Sequence, residues 1–129
     1  MCTAYWKLSV RAEFSAAHAL RNYGGKCENM HGHNFRVEAV VRGDRLDPDT
    51  EISVDFSLLK QDLNAVLSGL DHRNLNETPP FDRINPSSEN LSRHIFRGMA
   101  PLTKKRGARL CSVAVWEKET QSAVYCEEE

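Results

Sequence analysis

Cys27-Glu28-Asn29-Met30-His31-Gly32-His33-Asn34 sets a thiol four residues ahead of a His-Gly-His triplet. In an extended strand, residues i and i+2 point to the same face. His31 and His33 would then aim two imidazoles at one point, with Gly32 leaving room on the opposite face. Two converging imidazoles are half of a zinc or other transition-metal site. A third histidine, His18, ends the apolar run Phe14-Ser15-Ala16-Ala17-His18. If its strand lies beside the one carrying His31 and His33, a three-histidine site forms. Three protein ligands leave a fourth position open, which is the catalytic rather than the structural pattern. Each piece has a plainer reading. A His-Gly-His triplet is common, and a lone histidine on an apolar strand is more often a hydrogen-bonded core residue. The conjunction of three histidines, a nearby thiol and a later Asp71-His72 pair carries the metal reading.

Outward from this stretch, residues 5–14 alternate as a strand, with Trp6, Leu8, Val10, Ala12 and Phe14 on one face, and the run ends near His18. The glycine-bearing loop Arg21-Asn22-Tyr23-Gly24-Gly25-Lys26 would bring Cys27 back toward His18. Residues 33–42 form a second strand with Phe35, Val37, Ala39 and Val41 inward. His31 and His33 share that parity if the strand starts early. Val54 to Lys60 opens a helix capped by Ser57 or Asp55, with Phe56, Leu59, Leu63, Val66, Leu67 and Leu70 at core spacing. Leu70-Asp71-His72-Arg73-Asn74-Leu75-Asn76 reads as a loop, and Asp71 with His72 as a proton-handling pair that need not touch each other. A second helix starts after Pro86 with a serine cap. Leu91, Ile95, Phe96 and Met99 form its inner face, His94 reads as exposed or an incidental neighbour, and Pro101 is expected to end it. Residues 110–117 alternate as a third strand, with Leu110, Ser112, Ala114 and Trp116 on one face and Cys111, Val113, Val115 and Glu117 on the other. A buried carboxylate without a partner is costly, so an inward Glu117 suggests a ligand-anchoring acid, with Glu119 its rival. Residues 121–126 form the fourth strand. The order predicts an α+β domain: an antiparallel four-stranded sheet with two helices on one face. Its exposed edges must be covered or paired, and pairing between subunits to close a barrel is one solution.

The 129 residues fit a single domain, 1–129. A net charge of -1 gives no reason to expect nucleic acid or an anionic membrane as partner. No apolar run reaches the ~20 residues of a membrane helix. Lys7 and Arg11 interrupt the first stretch, so it does not read as a signal peptide, and a cytoplasmic location is expected. Cys2, Cys27, Cys111 and Cys126 form no C-x-x-C pair and are expected as free thiols. Cys111 reads as a small core hydrophobe.

Six stretches carry a resemblance that runs nearly end to end: Phe14 to His18; Cys27 with His31-Gly32-His33-Asn34-Phe35; Val54 to Lys60; Leu70-Asp71-His72 with Leu75-Asn76; Asn85-Pro86-Ser87-Ser88-Glu89-Asn90; and Val115-Trp116-Glu117. Any one is weak, but together and in this order they resemble the 6-pyruvoyltetrahydropterin synthase family. The three-residue gap between Cys27 and His31 favours its 6-carboxytetrahydropterin branch, since the pyruvoyl branch carries a longer gap. The resemblance implies a tunnelling fold (T-fold): trimers whose sheets close a barrel, stacked as a homohexamer, with active sites at subunit interfaces. It implies Zn2+ on His18, His31 and His33, with Cys27, Asp71 and His72 as the catalytic proton-transfer group. Glu117 would anchor the pterin ring, helped by Ser87 and Ser88. Lys118 stands where relatives often have Thr. The implied reaction is a lyase reaction: 7,8-dihydroneopterin triphosphate to 6-carboxy-5,6,7,8-tetrahydropterin, acetaldehyde and triphosphate, in queuosine biosynthesis. The alternative within the family is triphosphate elimination to a 6-pyruvoyl product, in tetrahydrobiopterin-type or folate-type metabolism. Lys26, Arg11 and the cluster from Lys104 to Arg109 are the candidate cations for the triphosphate.

Two readings from other classes stand beside this one. In a zinc hydrolase the open metal position makes hydroxide and Cys27 is a bystander. In a non-catalytic barrel the chain binds a purine or pterin and serves as an assembly module.

Overall fold

The computed structural model describes residues 2–128. The alternating N-terminal run becomes β1, Trp6–His18, longer than the 5–14 that alternation alone suggests. β2 spans His31–Gly43 and so begins at the first histidine of the triplet. α1 covers Phe56–Leu67, and its cap is Asp55, whose Oδ1 accepts from the Ser57 amide at 2.8 Å. β3 is a two-residue strand, Arg73–Asn74, inside what reads as a loop. α2 runs Ser88–Lys105, capped by Ser87, and β4 (Arg109–Lys118) and β5 (Gln121–Cys126) complete the chain.

The sheet order is β3-β1-β2-β4-β5. It is therefore five-stranded and mixed, which corrects the four-stranded antiparallel expectation. The four long strands are antiparallel neighbours, while β3 pairs with β1 in parallel at Ala16 and Ala17. Both helices pack on one face. Leu59, Leu63 and Leu67 of α1 and Leu91, Ile95 and Met99 of α2 join Phe14, Phe35, Val37, Val113 and Val115 in one buried cluster. The opposite face is polar, crossed by ion pairs between Arg11 and Glu38 at 2.8 Å and between Arg36 and Glu119 at 3.2 Å. Among the described residues no helix is long and apolar enough to cross a membrane.

Three further expectations need correction. Val40 faces Ser112 but Val41 faces Leu110, so Cys111 is the extra residue of a β-bulge. The bulge turns Leu110 into the core and leaves Cys111 half-buried, against strict alternation. Pro101 does not end α2. It lies within the helix, where a proline costs about 3 kcal/mol. Contacts beyond it hold the last turn: Thr103 is fully buried, and Arg106 forks onto Asp62 of α1 with both bonds at 2.7 Å. His94 is half-buried rather than exposed, with its ring 5.1 Å from that of Phe81.

The β3 side of β1 is finished mostly by side chains. The Ser15 amide donates to Asp71 Oδ1 at 2.8 Å, and the His72 amide donates to the Ser15 carbonyl at 2.6 Å. Beyond β3, Asn76 takes both backbone groups of Ala19, at 2.8 and 3.0 Å. Asn85 takes both groups of Arg21, each at 2.9 Å. The Arg21 guanidinium in turn donates to the carbonyls of Phe81 at 2.7 Å and Ile84 at 3.2 Å.

Candidate functional site

The register of the β1–β2 hairpin sets His18 opposite His31 and Ala16 opposite His33. All three imidazoles therefore lie on the helix-covered face, at the end of the sheet. Ring nitrogens, one from each, fall within 4.8 Å of one another. His18 is 1% exposed and packs edge-on against Phe35 at 5.2 Å, while His31 and His33 are half-buried.

The tautomers follow from the partners. A carbonyl can only accept, so the ring nitrogen facing one carries the proton. His18 Nδ1 donates to the Pro86 carbonyl and His31 Nδ1 to the Asn29 carbonyl, both at 2.7 Å. In a neutral ring the Nε2 opposite such a bond keeps its lone pair. His18 Nε2 is buried with no hydrogen-bond partner, an arrangement that costs about 1–3 kcal/mol unless something else binds there. Burial, the leading influence, pushes both His18 and His33 below the ordinary imidazole range, although the Pro86 bond works against it at His18. Zinc binds the lone pair of an imidazole whose other nitrogen is held by an acceptor, and the carbonyls behind His18 and His31 supply that orientation. The residues fit such an ion.

Glu117 continues the inward parity of Val113 and Val115. Its Oε2 lies 3.6 Å from His18 Nε2 and 3.8 Å from His33 Nε2. These separations exceed a hydrogen bond. Its Oε1 accepts from Gln121 Nε2 at 2.8 Å. Glu119, the rival, instead pairs with Arg36 on the polar face.

Asp71 and His72 do touch: His72 Nδ1 lies 2.9 Å from Asp71 Oδ2. The Ser15 amide, first, and His72, second, hold the Asp71 carboxyl below its ordinary value. His72 sits at a left-handed φ of +58°, and its side chain is 82% exposed. Strained backbone of this kind collects at functional sites. His72 lines a depression with Ser15, Ala17 and Asn34, and His33 lines it too. Cys27 sits in a short 3-10 turn, Lys26–Glu28, tied to the end of β1 by the Leu20 amide at 2.6 Å. One chain thus brings together His18, His31, His33 and Glu117, with His72 in a depression that His33 also lines. Ser87 and Ser88 follow Pro86, and Ser87 Oγ accepts from the Asn90 amide at 3.1 Å.

Of the candidate cations, Lys26 adjoins Cys27. Arg11 is engaged with Glu38, and Arg106 with Asp62. Arg109 pairs with Arg42 on β2, nine residues or about 30 Å along the strand from His33. Within one chain the basic cluster is at the wrong end of the sheet. The sequence reading gave no role to Gln121, nor to Asn76, Asn85 and Pro86, although the last three stand in stretches that carry the resemblance. Nothing in periodicity marks a side chain that pairs with distant backbone.

A family model described as 6-pyruvoyl tetrahydropterin synthase matches residues 7–128. The 6-carboxy-5,6,7,8-tetrahydropterin synthase of Synechocystis sp. is 36% identical over 124 residues, covering 93% of this chain and 92% of its own. The 6-pyruvoyl tetrahydrobiopterin synthase of Dictyostelium discoideum is 32% identical over 130 residues, covering 92% and 93%. The solved structure of Caenorhabditis elegans 6-pyruvoyl tetrahydropterin synthase superposes with a TM-score of 0.86 at 27% identity, over 98% of each chain.

Proposed function

The chain belongs to the 6-pyruvoyl tetrahydropterin synthase family, and on that premise we propose that it is a zinc-dependent lyase of pterin metabolism. It converts 7,8-dihydroneopterin triphosphate to 6-carboxy-5,6,7,8-tetrahydropterin, releasing acetaldehyde and triphosphate, in the route to queuosine. The observation that carries this reading is the convergence of three imidazoles with Glu117 Oε2 only 3.6 and 3.8 Å from two of them. The Cys27-to-His31 spacing favours the carboxy product.

His18, His31 and His33 hold zinc, which when bound supplies Lewis acidity to the side-chain hydroxyls of the substrate. Cys27, as thiolate, takes a proton from that side chain as general base. Asp71 orients His72 through its 2.9 Å contact, and the pair passes protons to and from the reacting carbons. Glu117 accepts hydrogen bonds from the amino-pyrimidine edge of the ring, in the bidentate manner of a carboxylate. Ser87 and Ser88 flank the ring, and Lys26 faces the triphosphate.

Copies of the chain join through their sheet edges into a barrel of three, and two barrels stack as a homohexamer. Among the described residues, the outer edge of β1 before Ser15 and the outer edge of β5 pair with no strand of the same chain.

The test is to incubate zinc-loaded protein with 7,8-dihydroneopterin triphosphate and assay acetaldehyde together with the pterin product. Acetaldehyde with a 6-carboxytetrahydropterin is the expected result. A pyruvoyl product without acetaldehyde would move the enzyme to the other branch. The absence of any turnover would overturn the proposal.

A further inference from the structure

We propose that Asn76 and Asn85 are positioning residues for His18, and that they set the affinity of the three-histidine centre for its metal. This rests on reading His18, His31 and His33 as the ligands. β1 ends at His18, and the chain then leaves the sheet through Ala19, Leu20 and Arg21 without a strand beside it. A carboxamide is the one neutral side chain that carries a donor and an acceptor spaced like a peptide group. Asn76 uses it to make both bonds a neighbouring strand would make to Ala19, and Asn85 does the same at Arg21 two residues on. Together they continue the ladder past the last strand residue and fix the backbone on which the His18 ring swings.

Asn85 has a second connection. It directly precedes Pro86, whose carbonyl receives His18 Nδ1 at 2.7 Å. Its own carbonyl is held by Asn90 Nδ2 at 2.8 Å. One residue therefore ties down the backbone beyond His18 and presents the acceptor that sets the ring's tautomer. His18 is the one ligand of the three that is fully buried, and its orphaned Nε2 has no solvent to fall back on. A ring allowed to tilt would miss the ion. Support of this kind typically changes metal affinity by about 10- to 100-fold.

The test is zinc affinity of the apo protein, by competition with a chromophoric chelator, at a temperature where each variant is folded by circular dichroism. Asn85→Asp and Asn76→Asp keep the shape but lose the donor and set a charge against a carbonyl. Asn85→Ser and Asn76→Ser carry the test if those do not fold. Arg106→Ala is the control, because it loosens the contact between the end of α2 and Asp62 of α1 and leaves the clamp intact. The expected result is a loss of affinity of about tenfold or more in either asparagine variant, and no change in Arg106→Ala at a comparable drop in Tm. Amide exchange at Ala19 and Arg21 should also quicken in the corresponding asparagine variants. Wild-type affinity in both folded asparagine variants, or an equal loss in Arg106→Ala, overturns the inference. A wild-type protein that binds no zinc overturns the metal reading itself, and the inference falls with it.

Discussion

The two oxygens of Glu117 are not equivalent. Gln121 holds Oε1, while Oε2 looks toward two ring nitrogens. If the carboxylate anchors substrate, Glu117→Gln keeps zinc affinity and raises KM. Charge-assisted hydrogen bonds contribute about 1.5–3 kcal/mol, so the increase should be about 10- to 100-fold. A fall in zinc affinity instead would make Glu117 a metal ligand. Cys27→Ala separates a thiolate base from a bystander. It should bind zinc normally and lose about 100-fold or more in kcat, the range of general base catalysis. Retained turnover would favour the hydrolase reading. His94 reports on pH. Burial alone holds its imidazole below the ordinary 6.5. Above that value both folded and unfolded chains are neutral there. Below it the unfolded chain takes up the proton first, so stability falls as pH drops from 6.5 toward the folded value. The Tm of the wild type should therefore decline more steeply than that of His94→Gln between pH 7.5 and 5.5, and parallel declines would show that the residue contributes nothing.

At the scale of elements, the hairpin that carries the three histidines was legible because parity alone decides it. Alternation from Trp6 and from Phe35 assigns the faces, and His18, His31 and His33 fall on the buried one with no tertiary information. The bulge at Cys111 was not legible. It inserts one residue without breaking the apolar composition, and only the partner strand shows where. β3 was hidden for another reason: two residues cannot display a period. Pro101 misled because propensity is a local quantity, while the last turn of α2 is held by Thr103 and by the Arg106–Asp62 fork. The α1 face against the sheet is fully packed at Leu63. Leu63→Ala should cost about 2–5 kcal/mol in chemical denaturation, and a loss well below that range would mean that the helix collapses into the space.

For the whole molecule, the outer edges of β1 and β5 are the places where copies would meet. Alternate residues of β1 direct their backbone groups away from β2, as Ser15 does toward Asp71 and His72. Ser9 shares that parity. Ser9→Pro removes an outward N–H that the isolated sheet does not use, and proline is tolerated on an edge strand. By light scattering its mass should fall below that of the wild type, with far-ultraviolet circular dichroism unchanged. A mass equal to that of a wild-type oligomer would exclude this edge from the contact. The hairpin also has a temporal consequence. His18 and His31 are separated by one short loop, whereas the Pro86 carbonyl that steadies His18 comes from 68 residues away. Short loops close faster and at lower entropic cost than long ones. During folding the chain can gather its three imidazoles early, and docking of the 71–86 segment then brings the Pro86 carbonyl to His18 Nδ1.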